Sequence, residues 1–160
     1  MHRYLLAKTL VKGKDVLDIG IGEGSGSALL AQAARSVIGI DTSYTAVIYA
    51  QNKYTLGNLS FVLRENDGIS LPSNSVDVVT FFAETDENSG YESLISEVKR
   101  VLRHDGVLII GAPNNSLPSA ENGDEGVNGG ALERLLRQNF QFVCMHDQKI
   151  CFGSIVASRS

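Results

Sequence analysis

The residues best suited to chemistry stand in one glycine-rich run, Asp18-Ile19-Gly20-Ile21-Gly22-Glu23-Gly24-Ser25-Gly26. The run follows an apolar strand candidate, residues 16–19, and leads into an Ala- and Leu-rich segment, residues 25–34, that is typical of a helix. Glycines at alternate positions allow a tight turn that brings bare main chain against a ligand. The helix start offers free amide groups and a positive dipole end, which suit a ligand carboxylate. The run therefore predicts a ligand site at the carboxyl ends of the strands.

An acidic residue on the next strand candidate supports this prediction. Asp41 directly follows the strand candidate at residues 36–40. It stands about 20 residues beyond the start of the glycines, which is the usual spacing of a ribose-binding acid. A carboxylate there can accept hydrogen bonds from both ribose hydroxyls of a nucleoside ligand. The alternative is that Asp41 caps the following helix, a role that Thr42 or Ser43 can also fill.

Two common nucleotide-binding fingerprints are absent from the run. The dinucleotide pattern G-x-G-x-x-G fails in every register, because its third glycine falls on Ser25, Ser27 or Leu29. A P-loop fails as well, because the sequence contains no Gly-Lys-Ser or Gly-Lys-Thr. A nicotinamide enzyme is therefore disfavoured. A purely structural turn without a ligand stays open as the alternative.

The elements that must position these residues alternate along the chain. Short apolar runs predict five strands, at residues 16–19, 36–40, 59–63, 76–82 and 107–110. Helix-like segments separate them, at residues 25–34, 45–53 and 91–102. Because several strands are nearly continuous apolar runs, they suit a parallel sheet that is covered on both faces. The alternation predicts a doubly wound α/β sheet with right-handed crossovers.

The last part of the chain has a different pattern. Residues 114–130 are polar and rich in Asn and Gly, which is typical of a loop, and residues 131–138 form a short helix candidate. Residues 140–145 and 150–157 predict two strands with a tight connection, and hence an antiparallel hairpin. The predicted fold is a mostly parallel sheet with this C-terminal hairpin on one edge. Because a chain of 160 residues suits one domain, residues 1–160 are interpreted as a single domain.

Composition narrows the classes of partner. The formal net charge is -4 and no run of Lys or Arg occurs, which argues against a nucleic-acid partner. Cys144 and Cys151 are too far apart for a CxxC pair and predict reduced thiols, with no metal site. No signal-peptide pattern and no apolar stretch of the ~18 residues that a membrane span requires are present. We therefore expect a cytoplasmic protein with a small-molecule partner and no membrane partner.

The residues as a set resemble a known family. Residues 16–30 resemble motif I of the class I S-adenosylmethionine-dependent methyltransferases. The resemblance covers nearly the whole chain, because further segments follow in the family's order. Residues 39–43 are similar to its second strand and residues 66–72 to its adenine loop. Residues 75–79 are similar to its fourth strand, and residues 97–108 to its next helix and fifth strand. It implies a Rossmann-like fold, S-adenosylmethionine as cofactor, S-adenosylhomocysteine as product, and methyltransferase activity. Within the family, residues 4–6 and 112–114 are similar to methyltransferases found near glycan-assembly enzymes.

The resemblance also implies roles for residues of the first two strands. Asp18 and the backbone of Gly20, Gly22 and Gly24 would hold the methionine end of the cofactor. Asp41 would bind the ribose. The site is thus expected to combine open main chain with a carboxylate on the neighbouring strand.

Four further residues complete the cofactor site that the resemblance implies. Thr42 would lie beside adenine, Asp67 would accept from the adenine amino group, and the Gly68 backbone would lie nearby. Phe81 would lie near the methionine moiety and the sulfonium. The alternatives are that Asp67 is an ordinary loop acid and that Phe81 only packs in the core.

The sequence departs from the family where the acceptor should bind. Close relatives often carry a Glu-His pair just after the fourth strand, and these positions hold Asp86 and Glu87 here. Glu84, Asp86 or Glu87 could replace the missing base, so no catalytic residue is assigned. We predict methyl transfer to a small molecule or glycan precursor. The alternative is a noncatalytic binding or scaffold domain, and a homodimer or larger assembly is left open.

Overall fold

The computed structural model of the chain describes residues 2–65, 68–82, 91–111, 129–146 and 150–154. The predicted polar loop at residues 114–130 lies outside these ranges up to residue 128, and so do residues 155–157 of the last predicted strand. Among the described residues, no helix combines the length and the apolar character that crossing a bilayer requires.

The described residues form seven strands and five helices. The strands are β1 (Asp15–Ile19), β2 (Ser36–Asp41), β3 (Leu59–Leu63), β4 (Val76–Phe81), β5 (Leu102–Gly111), β6 (Phe142–His146) and β7 (Ile150–Ser154). The helices are α1 (His2–Leu10), α2 (Ser25–Ala31), α3 (Tyr44–Lys53), α4 (Tyr91–Val101) and α5 (Gly129–Asn139).

One sheet contains all seven strands, in the order β3-β2-β1-β4-β5-β7-β6. The first five strands in this order pair in parallel. β7 pairs antiparallel with β5, and β6 pairs antiparallel with β7. The chain builds outward from β1 to β3 and then returns to β4 on the other side of β1. The doubly wound sheet is therefore confirmed, and its switch point lies between β1 and β4, where sheets of this kind bind ligands.

The core covers both faces of the sheet, as the apolar strands predicted. On one face, α4 buries Leu94, Ile95, Val98 and Val101 in a cluster that also contains residues of β1, β4, β5 and α5. On the opposite face, a second cluster joins residues of α1 and α2 to alternate strand residues. A side chain such as Ile95, which is only 1% exposed, contributes about 1.5–3 kcal/mol through this burial.

Two elements differ from the sequence prediction. Helix α1 was not predicted, and it packs against α2 with Ala7 and Val11 fully buried. Strand β5 begins at Leu102, whereas the prediction began it at Val107. The reason is a bulge: β4 pairs with β5 at Val76–Leu102 and resumes at Val78–Val107. The Arg103 side chain, which lies in the bulge, donates to carboxylates of β1 and β4 and secures it there.

Candidate functional site

The glycine-rich run forms a compact turn between β1 and α2. The amide of Gly20 donates to the carbonyl of Ile40 on β2 (2.9 Å), and the amide of Gly24 donates to the carbonyl of Ile21 (2.9 Å). Gly22 and Gly24 have φ angles of 53° and 80°, in the left-handed region that favours glycine. These hydrogen bonds fix the turn at the carboxyl end of β1, as the sequence predicted.

The glycines of this turn face different surroundings. A Cβ added at Gly22 would meet no atom within 4 Å, so this residue faces open space. At Gly24, an added Cβ would lie 2.8 Å from Cβ of Ala50 and 3.0 Å from the Phe61 ring, so this glycine allows the turn to lie close to α3 and β3. At Gly26, an added Cβ would lie 2.1 Å from the Tyr4 ring. Of these three glycines, Gly22 is therefore the one with open space beside its main chain, at the carboxyl ends of the strands where the ligand crevice is predicted.

Asp18 lies beneath the turn and is fully buried. Its Oδ2 accepts a hydrogen bond from the Ser27 hydroxyl (2.6 Å), and its Oδ1 accepts one from the Thr80 hydroxyl (2.6 Å). The Tyr4 hydroxyl donates to both oxygens, at 3.2 Å. Within the described part of the chain, the hydrogen-bond donors of Asp18 are therefore neutral hydroxyl groups.

This environment changes the protonation behaviour of Asp18. Burial raises the pKa of the Asp18 carboxyl to about 6, and the negative charge of Asp41 acts in the same direction. The hydroxyl groups of Ser27, Thr80 and Tyr4 oppose the rise in pKa because they stabilise the anion. Asp18 is thus a carboxylate held in a defined position, and none of the described residues pairs it with a cation. Its direct contact with a ligand stays a prediction.

Asp41 lies at the end of β2, beside the turn. Its Oδ2 accepts a hydrogen bond from the amide of Gly22 (3.2 Å), and its Oδ1 accepts one from the amide of Ser43 (2.8 Å). Ser43 is the N-cap of α3, because its side chain accepts from the amide of Ala46. The capping role that was the alternative for Asp41 therefore belongs to Ser43. The Asp41 carboxylate and the Gly22 main chain meet at the same edge of the crevice.

The predicted adenine side lies beyond β2 and β3. Thr42 and Gly68 are both exposed there. A cleft of about 200 Å³ lies between the end of β3, the following loop and α4, and it is lined by Leu63, Glu65, Gly68, Ile69, Ser70 and Glu97. Asp67, the predicted acceptor for the adenine amino group, lies outside the described residues.

Helix α4 anchors the loop that forms this cleft. Glu97 accepts a hydrogen bond from the amide of Ile69 (2.7 Å), while Arg100 donates to the carbonyls of Ile69 (2.7 Å) and Leu71 (2.8 Å). The two side chains also form an ion pair at 2.8 Å. The hydrogen bond from Arg100, together with the Ile69 amide, lowers the pKa of the Glu97 carboxyl to about 2. Sequence reasoning missed this pair, although its spacing of three residues on an amphipathic helix is a usable signal.

Phe81 lies at the end of β4 and is 5% exposed. Its ring packs edge-on against Tyr91 of α4, with the ring centroids 6.3 Å apart. This is the core packing that was the alternative for Phe81, and its place beside a sulfonium stays a prediction. The candidate bases Glu84, Asp86 and Glu87 lie outside the described residues.

Known proteins are similar to this chain over most of the parallel sheet. The family described as "Methyltransferase domain" matches residues 17–110. A probable S-adenosylmethionine-dependent methyltransferase of Mycolicibacterium smegmatis is 37% identical over 107 residues, which are 64% of this chain and 39% of the relative. The fatty-acid O-methyltransferase of the same species is 26% identical over 111 residues, covering 68% of this chain and 40% of the relative. The chain thus spans about two fifths of the length of these curated relatives.

A solved structure supports the same fold. A SAM-dependent methyltransferase from Aquifex aeolicus aligns with a TM-score of 0.73 and 24% identity, covering 96% of this chain and 87% of that protein. The family match runs from Leu17 on β1 to Ile110 on β5, so it includes the glycine turn and the end of β2. The chain belongs to the class I S-adenosylmethionine-dependent methyltransferase family, whose methyl donor is S-adenosylmethionine.

Proposed function

We propose that this chain binds S-adenosylmethionine in the crevice beside the turn at Gly22 and catalyses methyl transfer to a small molecule or glycan precursor. The observation that carries the proposal is the hydrogen bond from the Gly22 amide to Asp41, which joins open main chain to a carboxylate at one edge of the crevice. The empty space above Gly22 fits a ligand that approaches the backbone closely. Asp41 fits a pair of ribose hydroxyls.

Each proposed contact follows from the chemistry of the residue. The main chain at Gly20 and Gly22 would hold the methionine end, and the negative charge of Asp18 beneath it favours a positively charged group nearby. The Asp41 carboxylate would accept hydrogen bonds from the ribose hydroxyls, either in place of the hydrogen bond from the Gly22 amide or in addition to it. Gly24 supports the turn by packing, since it is buried against α3 and β3. On the adenine side, Thr42, Asp67 and the Gly68 backbone are the proposed contacts.

When bound, the cofactor would supply a methyl group activated by its sulfonium, which an acceptor oxygen or nitrogen would take in line with S-adenosylhomocysteine as the leaving group. The protein's part is to hold the acceptor on that line and to exclude water. An active enzyme of this kind needs a group to receive the acceptor proton only where the acceptor is not already ionised. The acid-rich residues after β4 are the proposed source of that base.

The acceptor class is inferred from the charge of the chain and from its relatives. A net charge of -4 disfavours a polyanionic acceptor. One relative carries the name fatty-acid O-methyltransferase, so a carboxyl or hydroxyl group on a small apolar molecule is among the acceptors that we propose to test first.

Two measurements test the proposed function. Calorimetry with S-adenosylhomocysteine measures cofactor binding, and transfer of labelled methyl groups from S-adenosylmethionine to extract fractions measures turnover. Binding together with a labelled small product supports the enzyme. Binding without transfer to any fraction would favour the noncatalytic binding domain, which the missing Glu-His pair motivates. No binding of either ligand would refute both.

A further inference from the structure

Tyr4 reaches the buried carboxylate from outside the glycine turn. Its hydroxyl lies 3.2 Å from both oxygens of Asp18. Its ring stands nearly perpendicular to Phe82, with centroids 4.8 Å apart, and fills the space that any side chain at residue 26 would need. The lack of a side chain at Gly26 therefore makes room for the Tyr4 ring, and this packing explains the glycine without a ligand contact.

The contact connects α1 to the elements that build the crevice. Helix α1 is anchored by Ala7 and by Val11, the residue directly after the helix, and both are fully buried in the cluster that includes residues of the sheet and α2. Asp18 in turn accepts from Ser27 on α2 and from Thr80 on β4. The Asp18 carboxylate on β1 is thus hydrogen-bonded to both α2 and β4. A displacement of Tyr4 would remove one of the hydrogen bonds that hold this carboxylate in place.

Tyr4 can act on Asp18 only as a hydrogen-bond donor. Burial raises the pKa of the Tyr4 hydroxyl far above its usual range, and the charge of Asp18 adds to this effect. The phenol therefore stays protonated at neutral and mildly acidic pH. Because the carboxylate accepts, each bond from Tyr4 stabilises the charged form of Asp18.

We propose that Tyr4 is a positioning residue for cofactor binding, which holds the Asp18 carboxylate in a fixed orientation behind the turn at Gly22. The inference rests on the proposed function, because it assigns Tyr4 to the same cofactor site. Tyr4 acts through Asp18 and does not touch the reacting atoms.

The proposal predicts a pH effect that a purely structural residue would not produce. The groups facing Asp18 are Tyr4 from α1, Ser27 from α2, Thr80 from β4 and Asp41 from β2. Without the Tyr4 hydroxyl, Asp18 takes up its proton at higher pH. The reason is that burial and the charge of Asp41 raise its pKa, and one of the hydrogen bonds that lower it is then lost. Binding that depends on the charged carboxylate should weaken first at acidic pH and recover as the pH rises.

The test is the affinity for S-adenosylhomocysteine between pH 5.5 and pH 8, measured for the wild type, Tyr4→Phe and Tyr49→Phe. Tyr4→Phe keeps the ring on Gly26 and removes only the hydroxyl, so we expect about tenfold weaker binding near pH 6, the scale of one hydrogen bond to a charged group, and a smaller loss at pH 8. Tyr49→Phe makes the same chemical change on the exposed side of α3, where the hydroxyl meets Lys53, and should bind as the wild type does.

A second variant reaches the contact from the other side. Gly26→Ala retains Tyr4 but would place a Cβ 2.1 Å from its ring, and so should displace the hydroxyl from Asp18 with the same shift of the pH profile. A folded Tyr4→Phe or Gly26→Ala protein whose affinity and pH profile equal those of the wild type would overturn the proposal. Failure of the proposed function is a different result, because then the wild type itself does not bind S-adenosylhomocysteine.

Discussion

Strand β1 carries two aspartates whose surroundings are opposite. Asp15, at its amino end, pairs with Arg35 and with Arg103 (3.1 Å), and its side chain is 20% exposed. Asp18, toward the carboxyl end, is fully buried and accepts only neutral hydroxyl donors among the described residues. The hydrogen bond from Arg35 holds the pKa of Asp15 well below its usual range, whereas burial raises the pKa of Asp18 to about 6.

The difference separates a stabilising end of the sheet from a binding end. At the amino end, Arg35 and Arg103 neutralise Asp15 and Asp77, and the cluster ties β1, β4 and β5 together. At the carboxyl end, no arginine or lysine of the described ranges pairs with Asp18, and the nearby charge of Asp41 is repulsive. A buried, uncompensated carboxylate costs stability, and such groups are common at functional sites. The following four changes test this contrast.

The largest expected effect is on binding and comes from Gly22→Val. Gly22 and Gly13 have φ angles of 53° and 69°, and an added Cβ would meet no atom at either position. Both substitutions therefore carry a similar backbone strain of about 1–3 kcal/mol. Of the two, only Gly22 lies at the carboxyl end of β1, where we propose that the cofactor binds, so Gly22→Val should abolish binding of S-adenosylhomocysteine while Gly13→Val, at the amino end of β1, should retain it. Calorimetry on both folded proteins decides, and normal binding by Gly22→Val would contradict the role of the turn.

The second effect is on stability and comes from Asp18→Asn. The pKa of Asp18 is about 6 in the folded protein and 3.8 ordinarily, so the folded state binds more protons between these values. The contribution of Asp18 to the free energy of unfolding should therefore fall as the pH rises from about 4 to about 6, by on the order of 2–3 kcal/mol. Asp18→Asn should lack this fall and be more stable than the wild type at pH 7.5, yet bind S-adenosylhomocysteine less tightly. Parallel pH curves from denaturant unfolding would refute the prediction.

The third effect is the loss of the proposed ribose contact in Asp41→Ala. We expect the affinity for S-adenosylhomocysteine to fall by about 1–3 kcal/mol, the scale for hydrogen bonds to a charged group. Asp105→Ala is the matched control, because it removes an exposed carboxylate of the β5 bulge at the opposite end of the sheet. Equal affinities of the two variants would mean that Asp41 does not bind the ribose.

The smallest effect is expected for Asp15→Asn and has the opposite sign from that of Asp18→Asn. Because the folded-state pKa of Asp15 is lowered, its stabilisation is present above the ordinary value of 3.8 and is lost as the pH falls below it. The variant should be less stable at pH 7 by about 1 kcal/mol, since the pairs are partly exposed. Cofactor affinity should not change. A loss of stability that persists undiminished at pH 2.5 would show that the ion pairs are not its cause.

Much of the fold was predictable because it rests on local patterns. The residues 59–63 predicted for β3 are those that the structure assigns to it, and the buried face of α4 follows its apolar spacing. The run of glycines marked the turn, since left-handed backbone at Gly22 and Gly24 favours that residue type. Asp41 was found because a fixed distance along the chain carries it to the end of the neighbouring strand.

The partners of Asp18 could not be found in this way. Tyr4, Ser27 and Thr80 stand 14, 9 and 62 residues from it, and a hydroxyl residue has no periodic signal. Thr80 meets Asp18 only because the register of β1 and β4 pairs these two positions. The hydrogen bonds that Glu97 and Arg100 form with the backbone of Ile69 likewise depend on how α4 packs on the sheet.

The amino-acid sequence by itself determined most of the strands and helices (α1 and the start of β5 excepted), where the chain turns sharply, and which carboxylate ends β2, because these properties depend on residues within a few positions of each other. The tertiary structure alone decided that, in the part of the chain that the structure describes, Asp15 meets arginines and Asp18 meets hydroxyl groups. Both are aspartates on one strand, and only the packing of distant elements gives arginines to the first and hydroxyl groups to the second.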